Sequence, residues 1–204
     1  VFGADMPDLN YNNPDVRQAA KDAAGHWLEL GLDGFRMDAA VHIYGAHEFK
    51  QQEDSEAANI NWWNEFAGYC ESINPDVYLV GEVWQDDKVL ENYVQPFNTK
   101  FDFAIQQKIL NCVQKGMAVP GFGDSLSVAI ENIQNKYDGV DVNYLNGVFG
   151  ANHDQDRIAS SVNSLDKARQ IAAVYMTLPG NPYIYYGEEL GMYGSKPDEM
   201  IRTP

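Results

Sequence analysis

Cysteine and basic charge are what this chain is short of. Its 204 residues hold two cysteines, Cys70 and Cys112, too few for a disulfide framework. Both fall in helical patterns and are expected as buried thiols. Lysine and arginine number 14 against 30 acidic residues, a net charge of −16. That balance argues against a nucleic-acid or anionic-membrane partner, since both are polyanions. It suits a neutral substrate, and it equally serves plain solubility, which needs no partner. No apolar run approaches the ~20 residues of a membrane-spanning helix. Low-complexity tracts and strong internal repeats are also missing. Val1-Phe2-Gly3-Ala4-Asp5 has mid-domain character rather than that of a signal peptide, and the compartment is not legible.

What the chain does have is alternation. Asn13-Pro14 offers an N-cap and a first-turn proline. Val16, Ala19, Ala20, Ala23, Trp27 and Leu30 follow at helical spacing, with Gly31 as a stop. The strand Gly34 to His42 comes next, then a polar loop from Ile43 to Asn59. A helix carries Trp62, Trp63, Phe66, Ala67, Cys70 and Ile73, and all of these rings, with Trp27, are expected to pack. Further strands are expected at 77–83, 101–103, 143–149 and 183–186. Helices are expected at 86–93, 104–113, 126–137 and from a cap at Asp166 to Leu178, with loops at 116–123 and 150–165. About five strands alternate with five major helices, the signature of parallel βα units.

Three of those strands end on acids. Gly34-Phe35-Arg36-Met37-Asp38 delivers Asp38, Tyr78-Leu79-Val80-Gly81-Glu82 delivers Glu82, and the strand through Phe149 leads to Asn152-His153-Asp154. In α/β chains the carboxyl ends of strands are where ligands are handled. The bland alternative for the first is a buried Arg36–Asp38 pair that only sets strand packing. Three such ends in one repeating chain point to chemistry.

The motifs GFRMDAAVH (34–42), GEVW (81–84) and FGANHD (149–154), with MPDLN (6–10) ahead and YYGEELGM (185–192) behind, resemble the α-amylase family of glycoside hydrolases nearly end to end. MPDLN is similar to the motif that closes the small domain inserted after the third barrel strand. The resemblance implies an α/β fold, the C-terminal part (about strands four to eight) of a (β/α)8 TIM barrel. Residues 1–13 would end the inserted small domain and 14–204 would be a partial catalytic barrel. A complete barrel typically takes about 250 residues, so missing barrel strands or a second copy would be needed to close the fold and cover its open parallel edges.

The same resemblance implies a retaining hydrolase of α-1,4-glucosidic bonds in starch or maltodextrins. Retention needs a nucleophile and an acid/base about 5 Å apart, and neighbouring parallel strands lie about 4.8 Å apart. Asp38 would be the nucleophile and Glu82 the acid/base, with Arg36 holding Asp38 ionised. Val83 and Trp84 are candidates for apolar walls that keep Glu82 protonated. Asp154 would hold the sugar hydroxyls and His153 would touch the same sugar. Trp84 and Tyr44 are candidate stacking rings. Asp156 and Arg157 are expected as a local ion pair. The family commonly holds a calcium ion through oxygen ligands. Asp8 and the backbone carbonyl of His42 match ligand positions, the remaining ligands falling outside this chain, so weak or no binding by the chain alone is expected. For Asp8 the alternative is a turn residue capping its own backbone.

One departure stands out. Many α-amylases carry Lys before the His of this motif, and here the position is Val41, which opens the question of leaving-group-side binding. An exo-acting α-glucosidase or a transglycosylase shares the same acids, and only product analysis separates them. A non-catalytic glucan-binding relative would be expected to have lost an acid, and Asp38, Glu82, Asp154 and Arg36 are all present.

Overall fold

The computed structural model describes residues 6–45, 52–85, 89, 91–115 and 125–204. The loop expected at 116–123 lies outside the described residues. Of the helix expected at 86–93, Glu91–Tyr93 forms a 3-10 turn. The chain divides into two compact units, residues 1–100 and 101–204.

In the first unit, helix α1 spans Pro14–Glu29. Asn13 has extended backbone and its side chain accepts the Asp15 amide at 2.9 Å, the capping that the Asn-Pro pair predicts. Beyond the helix Gly31 takes φ +94°, a conformation that a Cβ would penalise. Ala24, Gly25 and Leu28 face inward. Trp27 does not pack as expected and is 54% exposed.

Strands β1 (Gly34–Met37), β2 (Tyr78–Gly81) and β3 (Thr99–Lys100) form one parallel sheet in the order β1-β2-β3. Gly34 pairs with Tyr78 and Met37 with Gly81. The crossover between β1 and β2 contains helix α2, Gln52–Ile73. It starts seven residues before the end of the expected polar loop. Its first two turns read as polar because the apolar stripe begins only at Trp62. Trp62, Trp63, Phe66 and Cys70 are buried there, with Trp62–Phe66 centroids 5.6 Å apart and Trp63–Phe97 5.4 Å.

The second unit holds α3 (Phe103–Lys115), α4 (Leu126–Asp138), β4 (Gly147–Phe149), α5 (Ile158–Val162), α6 (Leu165–Tyr175), β5 (Asn181–Tyr183) and α7 (Asp198–Ile201). β4 and β5 are parallel, with Gly147 opposite Asn181 and Phe149 opposite Tyr183. Several boundaries differ from expectation: β4 starts at Gly147 rather than 143, α5 falls inside the expected 150–165 loop, and α6 ends at Tyr175 rather than Leu178. Residues 101–103 are not a strand: Asp102 accepts the Ile105 amide at 2.8 Å and starts α3. The cap of α6 is Ser164, which accepts the Lys167 amide at 3.3 Å, and Asp166 lies in the first turn. The last strand sits at 181–183 rather than 183–186, and Pro182 falls within it, opposite Val148. Pro182 has no N–H to donate, so it reads locally as a breaker. Cys70 is buried as expected, while Cys112 is half-buried.

A buried junction fixes this unit. Asp102 is fully buried. Its Oδ2 accepts the Tyr137 hydroxyl at 3.0 Å and the Asn146 amide at 2.7 Å. One carboxylate thus joins the start of α3, the end of α4 and the approach to β4.

Candidate active site

Asp38 and Glu82 directly follow the last residues of two neighbouring parallel strands. The Met37–Gly81 register brings the two ends level, and the ladder continues past the strands. The Glu82 amide donates to the Met37 carbonyl at 2.9 Å and the Ala40 amide to the Glu82 carbonyl at 3.0 Å. Asp38 is 76% exposed at its side chain, whereas Glu82 is buried.

Arg36 bridges the two acids. Its Nη1 pairs with Asp38 Oδ1, and its Nη2 donates to Glu82 Oε1 at 2.5 Å. Planar guanidinium suits this because its donors diverge in a fixed fork. The other Glu82 oxygen accepts the backbone amide of Ala39 at 3.1 Å. Both Glu82 oxygens therefore meet polar donors. Of the two apolar walls expected beside it, Val83 is fully buried and Trp84 is 51% exposed.

The turn after Asp38 is held from α2. The Trp63 indole N–H donates to the Ala40 carbonyl at 2.7 Å. Asn59 accepts the Tyr44 amide at 2.8 Å and donates to the Val41 carbonyl at 2.9 Å. Ala39 itself takes left-handed backbone, φ 44° and ψ 45°, uncommon for a residue with a Cβ and a frequent mark of functional turns. Tyr44 corrects an expectation. It is 7% exposed, its hydroxyl donates to the Tyr11 carbonyl at 2.9 Å, and its ring meets Tyr11 edge-on at 6.5 Å. It packs rather than presenting a stacking face.

In the second unit, the Asn152–Asp154 loop leaves β4. Asn152 Oδ1 accepts the Asp154 amide at 3.0 Å, a side-chain turn typical of Asx residues. The Gly150 carbonyl accepts from Gln106 at 2.7 Å. His153 Nε2 lies 3.2 Å from Asp154 Oδ2. Arg202, which local sequence did not single out, donates to Asp154 Oδ1 at 2.7 Å and to the His153 carbonyl at 2.9 Å. It is 48 residues from Asp154, a separation at which no periodicity speaks.

The expected Asp156–Arg157 pair is also replaced. Arg157 is 1% exposed. It donates to the Tyr186 carbonyl at 2.5 Å and lies 4.8 and 4.6 Å from the ring centroids of Tyr185 and Tyr186, a desolvated cation–π arrangement. Asp156 accepts the Lys196 amide at 2.7 Å. These contacts fasten the segment after β5 to the Asp154 loop.

Among the described residues, no group of three or more His, Cys, Asp or Glu side chains could hold a metal ion. Asp8 and His42 are both exposed.

A family described as "Alpha amylase, catalytic domain" matches residues 1–203. Alpha-amylase 3 of Dictyoglomus thermophilum is 42% identical over 207 residues, covering 100% of this chain and 38% of its own length. The 4-alpha-glucanotransferase of Thermotoga neapolitana is 35% identical over 209 residues, covering 100% of this chain and 42% of its own. The crystal structure of an alpha-amylase from H. orenii superposes with a TM-score of 0.86 at 38% identity, over 100% of this chain and 40% of that one. The chain thus spans about two fifths of the length of these relatives.

Proposed function

The chain belongs to the α-amylase catalytic-domain family, and from that premise we propose that it carries the acids of a retaining hydrolase of α-1,4-glucosidic bonds in starch or maltodextrins. Its parallel strands and intervening helices are part of a (β/α)8 barrel, the fold of the family. In the proposed assignment β1 to β5 are barrel strands four to eight, residues 1–13 close the inserted small domain, and the other strands come from elsewhere in the protein or from a second copy. Within the two sheets, β1, β3, β4 and β5 have one described strand neighbour each, which suits such completion.

The observation that carries the proposal is the Arg36 bridge between Asp38 and Glu82 on level strand ends. In the first step Glu82 gives its proton to the glycosidic oxygen while an Asp38 oxygen attacks the anomeric carbon. The carbon–oxygen bond breaks, and a glycosyl ester on Asp38 forms. In the second step the Glu82 carboxylate takes a proton from water, the oxygen of that water attacks the same carbon, and Asp38 leaves as carboxylate. Arg36 stabilises negative charge on both acids as it passes between them. Asp154 and His153 are assigned to the hydroxyls of the reacting sugar and Trp84 to stacking on a sugar face. Tyr44, being buried, is not carried into the assignment. Calcium, if the protein uses it, would draw on Asp8 and the His42 carbonyl together with ligands outside this chain, and no step is routed through it.

Relatedness to a glucanotransferase at 35% identity favours a second reading. The same two steps then end on a sugar hydroxyl in place of water. The test is reducing-end release from soluble starch by the protein containing this chain, with Asp38→Asn as the blank. Release that survives in Asp38→Asn overturns the assignment. Chain-length redistribution without net release of reducing ends selects transfer over hydrolysis.

A further inference from the structure

One carboxyl group behind the Asp154 loop has no part in the steps above. Glu188 lies in the turn after β5, where its amide donates to the Tyr185 carbonyl at 3.1 Å. Glu188 Oε2 accepts the hydroxyl of Tyr175 at 3.1 Å. The backbone amides of Ala151 and Tyr185 also act on this carboxyl. Oε1 is buried.

Tyr175, the last residue of α6, reaches the same loop by a second route. It is 2% exposed. A Cβ on Gly150 would collide with Ile158 Cδ1 and stand 3.1 Å from Tyr175 Cε1, so the backbone rests on these side chains with no space between. Glu188 therefore bears on the loop twice, through the Ala151 amide and through the ring beneath Gly150. Ala151 is three residues before Asp154, and the Asn152 side chain ties the Asp154 amide into one turn. Displacement at Ala151 is carried to Asp154 with little slack.

We propose that Glu188 is a positioning residue for Asp154: its carboxylate holds the Gly150–Asp154 loop in the geometry seen here, and its protonation loosens that hold. The inference rests on the reading of Asp154 as the acid that holds the sugar. An ionised carboxylate offers only acceptors, whereas the protonated acid gives up acceptor strength and adds a donor that the Ala151 amide cannot use. Burial pushes the Glu188 carboxyl up to about 7, against the opposing pull of the Tyr175 hydroxyl, the Tyr185 and Ala151 amides and the Arg157 charge. Burial and the neighbouring Glu188 also raise the Tyr175 phenol, which therefore remains a donor. The other charged residues lining the adjoining cavity of about 330 Å³ are Arg169, on α6, and Glu189 in the turn. Arg169 is engaged by Asp166 at 3.0 Å.

The test uses the intact protein, labelled with ¹⁵N-alanine, between pH 5 and 9. The Ala151 amide resonance is expected to titrate with a midpoint near 7 and to be flat in Glu188→Gln. Starch hydrolysis by the wild type is expected to fall on the acid side with the same midpoint. In Glu188→Gln, kcat is expected to drop about tenfold with KM within about twofold, and that limb should vanish, the scale set by the cost of misplacing a reacting group. An Ala151 resonance that does not move, or moves equally in Glu188→Gln, overturns the proposal, as does an unchanged pH limb in that variant. Should Glu188→Gln fail to fold, Tyr175→Phe removes one hydroxyl and is expected to raise the Ala151 midpoint, and an unchanged midpoint is fatal. A wild type that titrates at Ala151 but releases no reducing ends refutes the hydrolase reading, while the resonance still judges the Glu188 link.

Discussion

The backbone amide of Ala39 donates to Glu82 Oε2 at 3.1 Å, across two strands and 43 residues of chain. It can do so because Ala39 stands at φ 44° and ψ 45°. In extended backbone the same amide would serve the sheet ladder. The left-handed turn both ends β1 and supplies a donor to the acid on β2. A β-branched side chain tolerates this conformation poorly. Ala39→Val is expected to cost about 1–2 kcal/mol of stability and to lower kcat. Ala39→Gly should leave stability within about 1 kcal/mol of the wild type and keep the activity. Denaturant midpoints and starch hydrolysis check both, and a Val variant equal to the wild type would mean the turn is unstrained.

Removing the acid should separate the two chemical steps. Glu82→Gln is expected to lower hydrolysis of starch by about 10²–10⁴-fold, the usual weight of a general acid. Its fold should be unchanged by circular dichroism. A substrate with a leaving group that needs no proton, such as an α-maltosyl fluoride, should recover part of the first step. Equal loss on both substrates would remove Glu82 from the role of acid.

Arg36 pairs with both Asp38 and Glu82, and its geometry matters as much as its charge. Arg36→Lys keeps the charge and loses the fork. A fall of about 10²-fold or more in kcat/KM is expected, on the scale of losing one aligned transition-state donor. Retention of wild-type kcat/KM in the Lys variant would reduce the bridge to a packing contact.

Asp102→Ala tests the buried junction of the second unit. It removes the acceptor of the Tyr137 hydroxyl and of the Asn146 amide and uncaps α3. The expected loss is about 3 kcal/mol or more, the sum of a missing cap and at least one unpaired buried donor. A shift under about 1 kcal/mol in urea unfolding would show that water replaces the carboxylate without cost.

Glu188 also sets a stability profile. Its carboxyl titrates near 7 in the folded protein, above its ordinary value near 4.5. The folded state thus binds more protons than the unfolded state between those limits. Stability contributed by this group is lost as pH rises through that window. Glu188→Gln should therefore gain about 2–3 kcal/mol relative to the wild type between pH 4.5 and pH 8. A constant difference across that range would contradict the raised value. The gain would be largest on the alkaline side, where the positioning proposal expects the variant to be least active relative to the wild type.

Much of the first unit was open to reading along the chain. Asn13-Pro14 caps α1 through atoms two residues apart. Asp38 and Glu82 stand one residue past apolar strands, so period and polarity alone mark them. Arg36 is two residues from Asp38, on the same strand face. The burial of Tyr44 is not legible locally because its hydroxyl donates to the carbonyl of Tyr11, 33 residues away, and an aromatic in a polar stretch looks the same whether it covers a core or faces a ligand.

The sequence by itself determined the alternation of strands and helices, the family, and the acids at three strand ends, because those signals are local in spacing or lodged in short motifs. The tertiary structure alone decided which groups those acids meet. Arg36 to Glu82, Ala39 to Glu82, Arg202 to Asp154, Tyr137 to Asp102 and Glu188 to the Ala151 amide join residues 35 to 48 apart. Such pairings arise from register and crossover geometry, which no residue encodes in its neighbours. Burial does the rest, since the same glutamate is an ordinary surface acid in water and a group titrating near 7 once its turn closes over it.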